Sequence, residues 1–176
     1  GSGLSRSRPI LERLIATADV LVENFLPDTV AKLGLGPERL AQLNPRLVSC
    51  SISGYGRTGP LAETPGYDLV VQATSGLMSV TGEPDGQPMK VGVAISDVIT
   101  GLYAAASALA GLAAVRQLAR PWAFDLALAD CTLASLVNVA QSALVTGQRP
   151  KRWGNAHPNI VPYEALATAD GHVVLA

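Results

Sequence analysis

The sequence predicts an α/β fold, a Rossmann-like open parallel sheet with flanking helices, followed by the start of a second, smaller domain. Three observations carry this. Short apolar strands alternate with helical segments along residues 9–147. Apolar residues make up 48% of the 176 residues and charged ones only 15%, so most elements must be covered on more than one side. Aromatics are scarce at 5%, which leaves Ala, Leu and Val to fill a core and suits close helix–sheet packing.

The elements follow in order. Residues 1–8 read as a tag or disordered leader, because Gly1-Ser2-Gly3 lacks an initiator Met and has the look of a cloning remnant. A helix over residues 9–18 carries Ile10, Leu11, Leu14 and Ile15 at helical spacing, with Pro9 suited to its first turn. Val20-Leu21-Val22 is a short apolar strand, with Asn24-Phe25-Leu26-Pro27 at its carboxyl end. Pro27 opens a short helix that Gly34 stops; Pro37 opens another over residues 37–43, ended by Asn44-Pro45. Residues 46–53 form the next strand. The Gly- and Pro-rich loop of residues 54–66 is long enough to suggest a functional role.

A helix over residues 67–80 has Leu69, Val70, Ala73 and Leu77 as its apolar stripe, and a turn and a short extended piece follow it. Residues 95–118 form a long Ala-rich helix whose Gly101, Ala105, Ala108 and Gly111 permit close packing, a better fit to a packed helix than to a membrane span. A buried strand over residues 124–128 precedes a helix over residues 131–146. After a polar linker, two strand candidates are joined by Ala169-Asp170-Gly171, a good hairpin signal. The change of period near residue 150 divides the chain into a large-domain portion, 9–147, and a linker with the beginning of a small domain, 148–176.

Thirteen basic against fourteen acidic side chains supply no field for nucleic acid or an anionic membrane. Cys50 and Cys131 lie far apart in apolar contexts and match no metal or redox motif, so they read as buried free thiols of a cytoplasmic protein. The two histidines, His157 and His172, belong to no recognisable triad or metal site.

The most informative stretch is Phe124-Asp125-Leu126-Ala127-Leu128-Ala129-Asp130-Cys131, a strand whose last residue before a helix is a carboxylate. In an open α/β sheet, ligands gather at the carboxyl ends of strands, where helix N-termini also point. On the local pattern Asp130 is either an N-cap or a nucleophile. Cys131 reads as a small core residue, and Asp125 as a structural hydrogen-bonding residue on the strand's other side.

A family resemblance decides between those readings. Ala18-Asp19-Val20-Leu21-Val22-Glu23-Asn24-Phe25 resembles a signature of the family III CoA-transferases (the CaiB/BaiF family). So do Leu33-Gly34-Leu35-Gly36, Leu43-Asn44-Pro45-Arg46-Leu47, Ser51-Ile52-Ser53-Gly54-Tyr55-Gly56 and Pro65-Gly66-Tyr67-Asp68. The pattern continues through Gln72-Ala73-Thr74-Ser75-Gly76, Asp97, Gly101-Leu102-Tyr103-Ala104-Ala105, the strand before Asp130, and Gly154-Asn155-Ala156-His157-Pro158-Asn159. The matches run in order from about residue 11 to the last residue. Ala119-Arg120-Pro121-Trp122 replaces the family's Gly-Arg-Gly-Gln turn, which marks a divergent member.

The resemblance implies an acyl-CoA:carboxylate CoA-transferase in which Asp130 is the nucleophile, passing through a mixed anhydride and an aspartyl-CoA thioester. The substrates would be an acyl-CoA thioester and a small carboxylic acid, with no cofactor bound permanently and no metal. Asn24 and Phe25 would contact the adenine–ribose region of CoA. Leu26 stands where the family often has a basic residue, so Lys32, with Leu33 beside it, would serve the phosphates. Gly54 and Tyr55 would approach the pantetheine, and Tyr67 the substrate. The related racemases have a histidine at the Tyr67 position; racemisation needs two acid/base groups, and a phenol, with an ordinary pKa of about 10, is a poor one at neutral pH. The transferase reading therefore leads, with a racemase-type enzyme or a catalytically incompetent CoA-binding fragment as alternatives. The family's enzymes are interlocked homodimers, and the opening βα units and glycine-rich loop they use are expected to lie outside these residues.

Overall fold

The computed structural model describes residues 2–118 and 120–176, with side chains from residue 7 onward. Gly1 of the expected leader and Ala119 of the expected turn lie outside the described residues. The rest of the expected leader is helical: α1 spans Ser2–Thr17, with Pro9 inside it. Proline costs that helix one backbone hydrogen bond. Side chains anchor it instead, since Glu12 pairs with Arg8 at 3.3 Å along the helix and with Arg39 at 2.9 Å across to the third helix.

Three parallel strands form the main sheet: β1 (Val20–Glu23), β2 (Val48–Ser53) and β3 (Trp122–Ala127), with β2 in the centre. Each is short, and each is joined to the next through helices, as parallel pairing requires. Between β1 and β2 lie α2 (Pro27–Leu33) and α3 (Pro37–Leu43), both opened by proline, with Gly34 ending the first at φ 70°. Between β2 and β3 lie α4 (Asp68–Thr74), α5 (Leu77–Val80) and α6 (Ile95–Leu118). After β3 come α7 (Leu128–Ser135) and α8 (Val137–Thr146), then a separate antiparallel hairpin of β4 (Glu164–Ala167) and β5 (His172–Leu175).

Side-chain alternation gives the sheet two distinct faces. Leu21 and Ser49 are register partners on one of them, and there Ile15, Val30, Leu35, Leu40 and Leu47 form a core among α1, α2 and α3. Asn44, also buried, ties that layer together by donating to the carbonyls of Ile15 at 3.0 Å and Ala18 at 2.8 Å. The other face is covered by α6. By length and composition α6 could cross a membrane, but it lies across β2 and β3, with Gly111 against Val48 and Phe124 and Ala104 buried over Cys50. Gly101, expected to pack closely, has open space beside it, and Ala105 is exposed. Only part of the small-residue stripe is therefore used against the sheet.

Three further expectations change. The helix expected over residues 67–80 is two helices, interrupted where Gly76 takes φ 89°. The helix expected over residues 131–146 begins earlier, at Leu128, and bends by 83° between α7 and α8, where Val137 adopts φ 36°. A β-branched residue in that region is strained, and periodicity carries no sign of it. Finally, β3 is half-buried rather than buried: Ala123 and Asp125 are exposed.

A methyl group on Gly111 would meet Val48 Cγ1 at 2.6 Å and Phe124 Cε2 at 3.0 Å. Gly111→Ala should therefore destabilise the protein by about 1–3 kcal/mol through overpacking, even though alanine is the better helix former. Thermal denaturation checks this; a higher midpoint would contradict the packing described.

Candidate functional site

Parallel strands bring all three carboxyl ends to one edge, and the loop after β2 organises that edge. A Cβ on Gly54 would lie 2.5 Å from Gly66 Cα, and one on Gly66 would lie 2.4 Å from Gly54 Cα. The loop thus closes with backbone against backbone, a contact only glycine allows. The Cβ side of Gly54, the residue that the family pattern sets near the pantetheine, is filled by Gly66. The Gly54 carbonyl meanwhile accepts a hydrogen bond from the Ala129 N–H at 3.0 Å, fixing the start of α7 to the end of β2.

That bond sets the place of Asp130. The expected order, strand then carboxylate then helix, is shifted: β3 ends at Ala127, which is itself the cap residue, and Asp130 lies in the first turn of α7. It is not an N-cap. It is exposed, and negative charge in the first turn is favoured by the helix dipole. In the same turn the Ala129 N–H is committed to the Gly54 carbonyl. Asp130 opens onto a groove of about 360 Å³ between α7 and α8, walled by Leu133, Ala134, Val137, Ala140, Gln141 and Leu144.

Its neighbour Cys131 is a buried free thiol. Burial pushes its thiol upward and the charge of Asp130 adds to this, against an opposing hydrogen bond with Thr100. A neutral thiol is a poor nucleophile. Burial likewise raises Cys50. Asp125 faces away from the Asp130 groove, and its Oδ2 accepts the Arg57 N–H at 2.9 Å, in keeping with a structural role.

A second, larger cavity of about 570 Å³ lies at the same edge, on the α6 side. Asn24 and Leu26 from the end of β1, Ser53 from β2, Tyr67 and Asp68 at the start of α4, Asp97, Thr100 and Gly101 of α6, and Leu128 of α7 line it. Tyr67 is 75% exposed at its mouth. Asp68 is fully occupied: its Oδ1 accepts the Ser96 N–H at 2.8 Å at the start of α6, and its Oδ2 accepts Gln72 Nε2 at 2.7 Å. Asp97 is the less constrained carboxylate, held above its ordinary value by loss of water around it and by the charge of Asp68.

The sequence-predicted residues separate into groups. Asn24 and Tyr67 share the large cavity. Phe25 stands at the edge, 43% exposed, with its N–H held by Glu23 Oε2 at 2.9 Å. Lys32 is exposed and pairs with Asp28 at 3.5 Å, a weak surface contact that leaves it available to an anion. Tyr55 lies within 3.5 Å of the Thr74 hydroxyl. Leu33 is half-buried and packs against the α1–α3 core. Asp130 opens on its own groove and the large cavity reaches α7 only at Leu128, so the two are adjacent rather than one chamber.

His157 serves a turn, its Nδ1 accepting the N–H groups of Asn159 and Ile160 at 3.1 and 3.0 Å. Among the described residues there is no group of three or more His, Cys, Asp or Glu suited to a metal. Sequence reasoning did not assign Ser53, Asp97 or Thr100 to the cavity; Asp97 was visible only as part of the family pattern.

Comparison with known proteins adds to this geometry. The model described as CoA-transferase family III matches residues 5–176. The chain is 50% identical over 167 residues to a succinate–glutarate CoA-transferase of Agrobacterium fabrum, covering 95% of this chain and 42% of that protein. It is 42% identical over 166 residues to the human succinyl-CoA:glutarate CoA-transferase, covering 94% of this chain and 38% of that one. Among solved structures, a CaiB/BaiF family protein from Brucella suis superposes with a TM-score of 0.89 at 44% identity, over 97% of this chain and 45% of that chain. The chain thus spans less than half the length of the curated relatives it matches.

Gly54→Ala should disrupt the edge more than a surface substitution would, because its Cβ meets backbone at 2.5 Å. The expected outcome is a loss of several degrees in thermal midpoint, about 2–4 °C per kcal/mol for a domain of this size, together with faster amide exchange at Ala129. An unchanged exchange rate at Ala129 would contradict the coupling between Gly54 and α7.

Proposed function

The chain belongs to CoA-transferase family III, and from that premise we propose that the full-length protein moves CoA from an acyl-CoA thioester to a small carboxylic acid. The observation that carries this is Asp130: an exposed carboxylate in the first turn of α7, held at the carboxyl edge of a parallel sheet and facing a largely apolar groove. Such a carboxylate attacks without a helper base, and its acyl derivatives stay reactive enough to pass the group on.

The steps balance as follows. The Asp130 carboxylate attacks the thioester carbonyl of the donor, forming a mixed anhydride and releasing CoA thiolate. The thiolate attacks the Asp130 carbonyl of the anhydride, releasing the donor acid and leaving an aspartyl-CoA thioester. The acceptor carboxylate attacks that thioester, again giving an anhydride and CoA thiolate. The thiolate then attacks the acceptor's acyl carbonyl, yielding the new acyl-CoA and restoring Asp130. Asn24 and Phe25 at the β1 edge, with Lys32 on α2, would bind the nucleotide end of CoA, with Tyr55 and Tyr67 nearer the thioester. CoA enters as a substrate, and no permanently bound cofactor is needed.

Similarity to the succinate–glutarate enzymes supports short dicarboxylic acids as donor and acceptor. A homodimer is the favoured assembly, because the walls of the Asp130 groove are apolar and open, with Val137 and Leu144 exposed by 69% and 82%. We place the enzyme in the cytoplasm, with its two thiols buried and reduced, and take residues 148–176 as the linker and beginning of its smaller domain.

Incubation of the full-length protein with succinyl-CoA and glutarate should produce glutaryl-CoA. Asp130→Asn should lower kcat by about a thousandfold or more, as removal of a covalent nucleophile does. Exchange of the α-proton of a 2-methylacyl-CoA for deuterium, without any transfer, would instead favour the racemase reading.

A further inference from the structure

A row of three polar side chains crosses the sheet near its carboxyl edge. Glu23 of β1, Ser51 of β2 and Asp125 of β3 are register partners, so they lie side by side on one face. It is the face of the α1–α3 core, opposite α6 and the large cavity. Arg57, from the loop after β2, joins all three: its guanidinium donates to Glu23 Oε1 and Ser51 Oγ, and its backbone N–H donates to Asp125 Oδ2 at 2.9 Å. The Glu23 side chain is only 9% exposed and that of Arg57 26%, so the pair is shielded from water. The second oxygen of Glu23 accepts the Phe25 N–H at 2.9 Å.

We propose that Arg57 is the positioning residue of the CoA-binding edge, holding the Asn24–Phe25 corner and the Gly54–Gly56 loop in register through Glu23, Ser51 and Asp125. This rests on the reading of Asn24 and Phe25 as CoA contacts. Arg57 reaches none of the residues around Asp130, so it acts on the ligand only through the backbone it fixes. A shielded carboxylate stripped of its cation no longer holds one orientation. The Phe25 N–H then loses a fixed acceptor, and the β1 corner loosens. The bond-forming group, carried on α7, keeps its own tie to Gly54. Loss of Arg57 should therefore weaken CoA binding more than it slows the chemical steps.

The test uses the full-length protein and CoA itself, with affinity measured by calorimetry and turnover measured separately. Arg57→Gln and Glu23→Gln should each weaken CoA binding about tenfold or more, as misplaced positioning groups do, with kcat at saturating thioester within about threefold of the parent. The double variant should be no weaker than either single one, because both remove the same link. Arg57→Lys should recover part of the affinity. If Arg57→Gln does not fold, Ser51→Ala serves in its place and should weaken CoA binding by a smaller factor. Unchanged CoA affinity in the variants that fold, or a loss confined to thermal stability, would overturn the proposal. A parent that binds CoA but transfers nothing would count against the transferase reading alone.

Discussion

The backbone contact between Gly54 and Gly66, with the hydrogen bond from the Ala129 N–H to the Gly54 carbonyl, is the constraint on which the site depends. It closes a long loop over the carboxyl end of the central strand and attaches the first turn of α7 to the same point. Asp130 is presented from that turn. A parallel sheet brings its carboxyl ends together automatically, but it does not say which side chain will stand there. Here two glycines and one amide decide it.

Around that point the two faces of the sheet have different tasks. On one, α6 lies close because Gly111 admits Val48 and Phe124, and the gap above its first turns becomes the cavity lined by Tyr67, Asp97 and Thr100. On the other, apolar packing gives way near the edge to the polar row of Glu23, Ser51 and Asp125 joined by Arg57. Much apolar surface remains open, including Leu102 and Leu109 on α6 and Leu144 and Val145 on α8. Exposed apolar area of this extent is characteristic of surfaces that meet another chain or segment, which agrees with a chain spanning less than half the length of its relatives.

Much of the fold was legible in the sequence because its punctuation is local. Pro27, Pro37 and Gly34 delimit α2 and α3 to the residue, and the uninterrupted Ala-rich run gives α6 its observed bounds. What escaped is conformational or non-local. Gly76 at φ 89° divides α4 from α5, and Val137 at φ 36° turns α8 away from α7, although both stretches read as continuous helices. Asp130 was singled out from the family pattern and expected just ahead of its helix, whereas the helix starts at Leu128 and carries Asp130 in its first turn. Leu33 read as a ligand contact from its motif alone, and the motif does not show that on α2 it also packs against the core. Arg57 could not be singled out, because its partners are separated by 34, 6 and 68 positions and meet only once the strands are in register.

The most direct measurement is the intact mass of the full-length protein after incubation with succinyl-CoA, followed by peptide mapping, with Asp130→Ala treated in parallel. The account predicts a CoA-sized adduct that is removed by hydroxylamine, maps to the peptide carrying Asp130, and is absent from the variant. An adduct that persists in Asp130→Ala, or maps to Cys131, would contradict the assignment of Asp130 as the nucleophile.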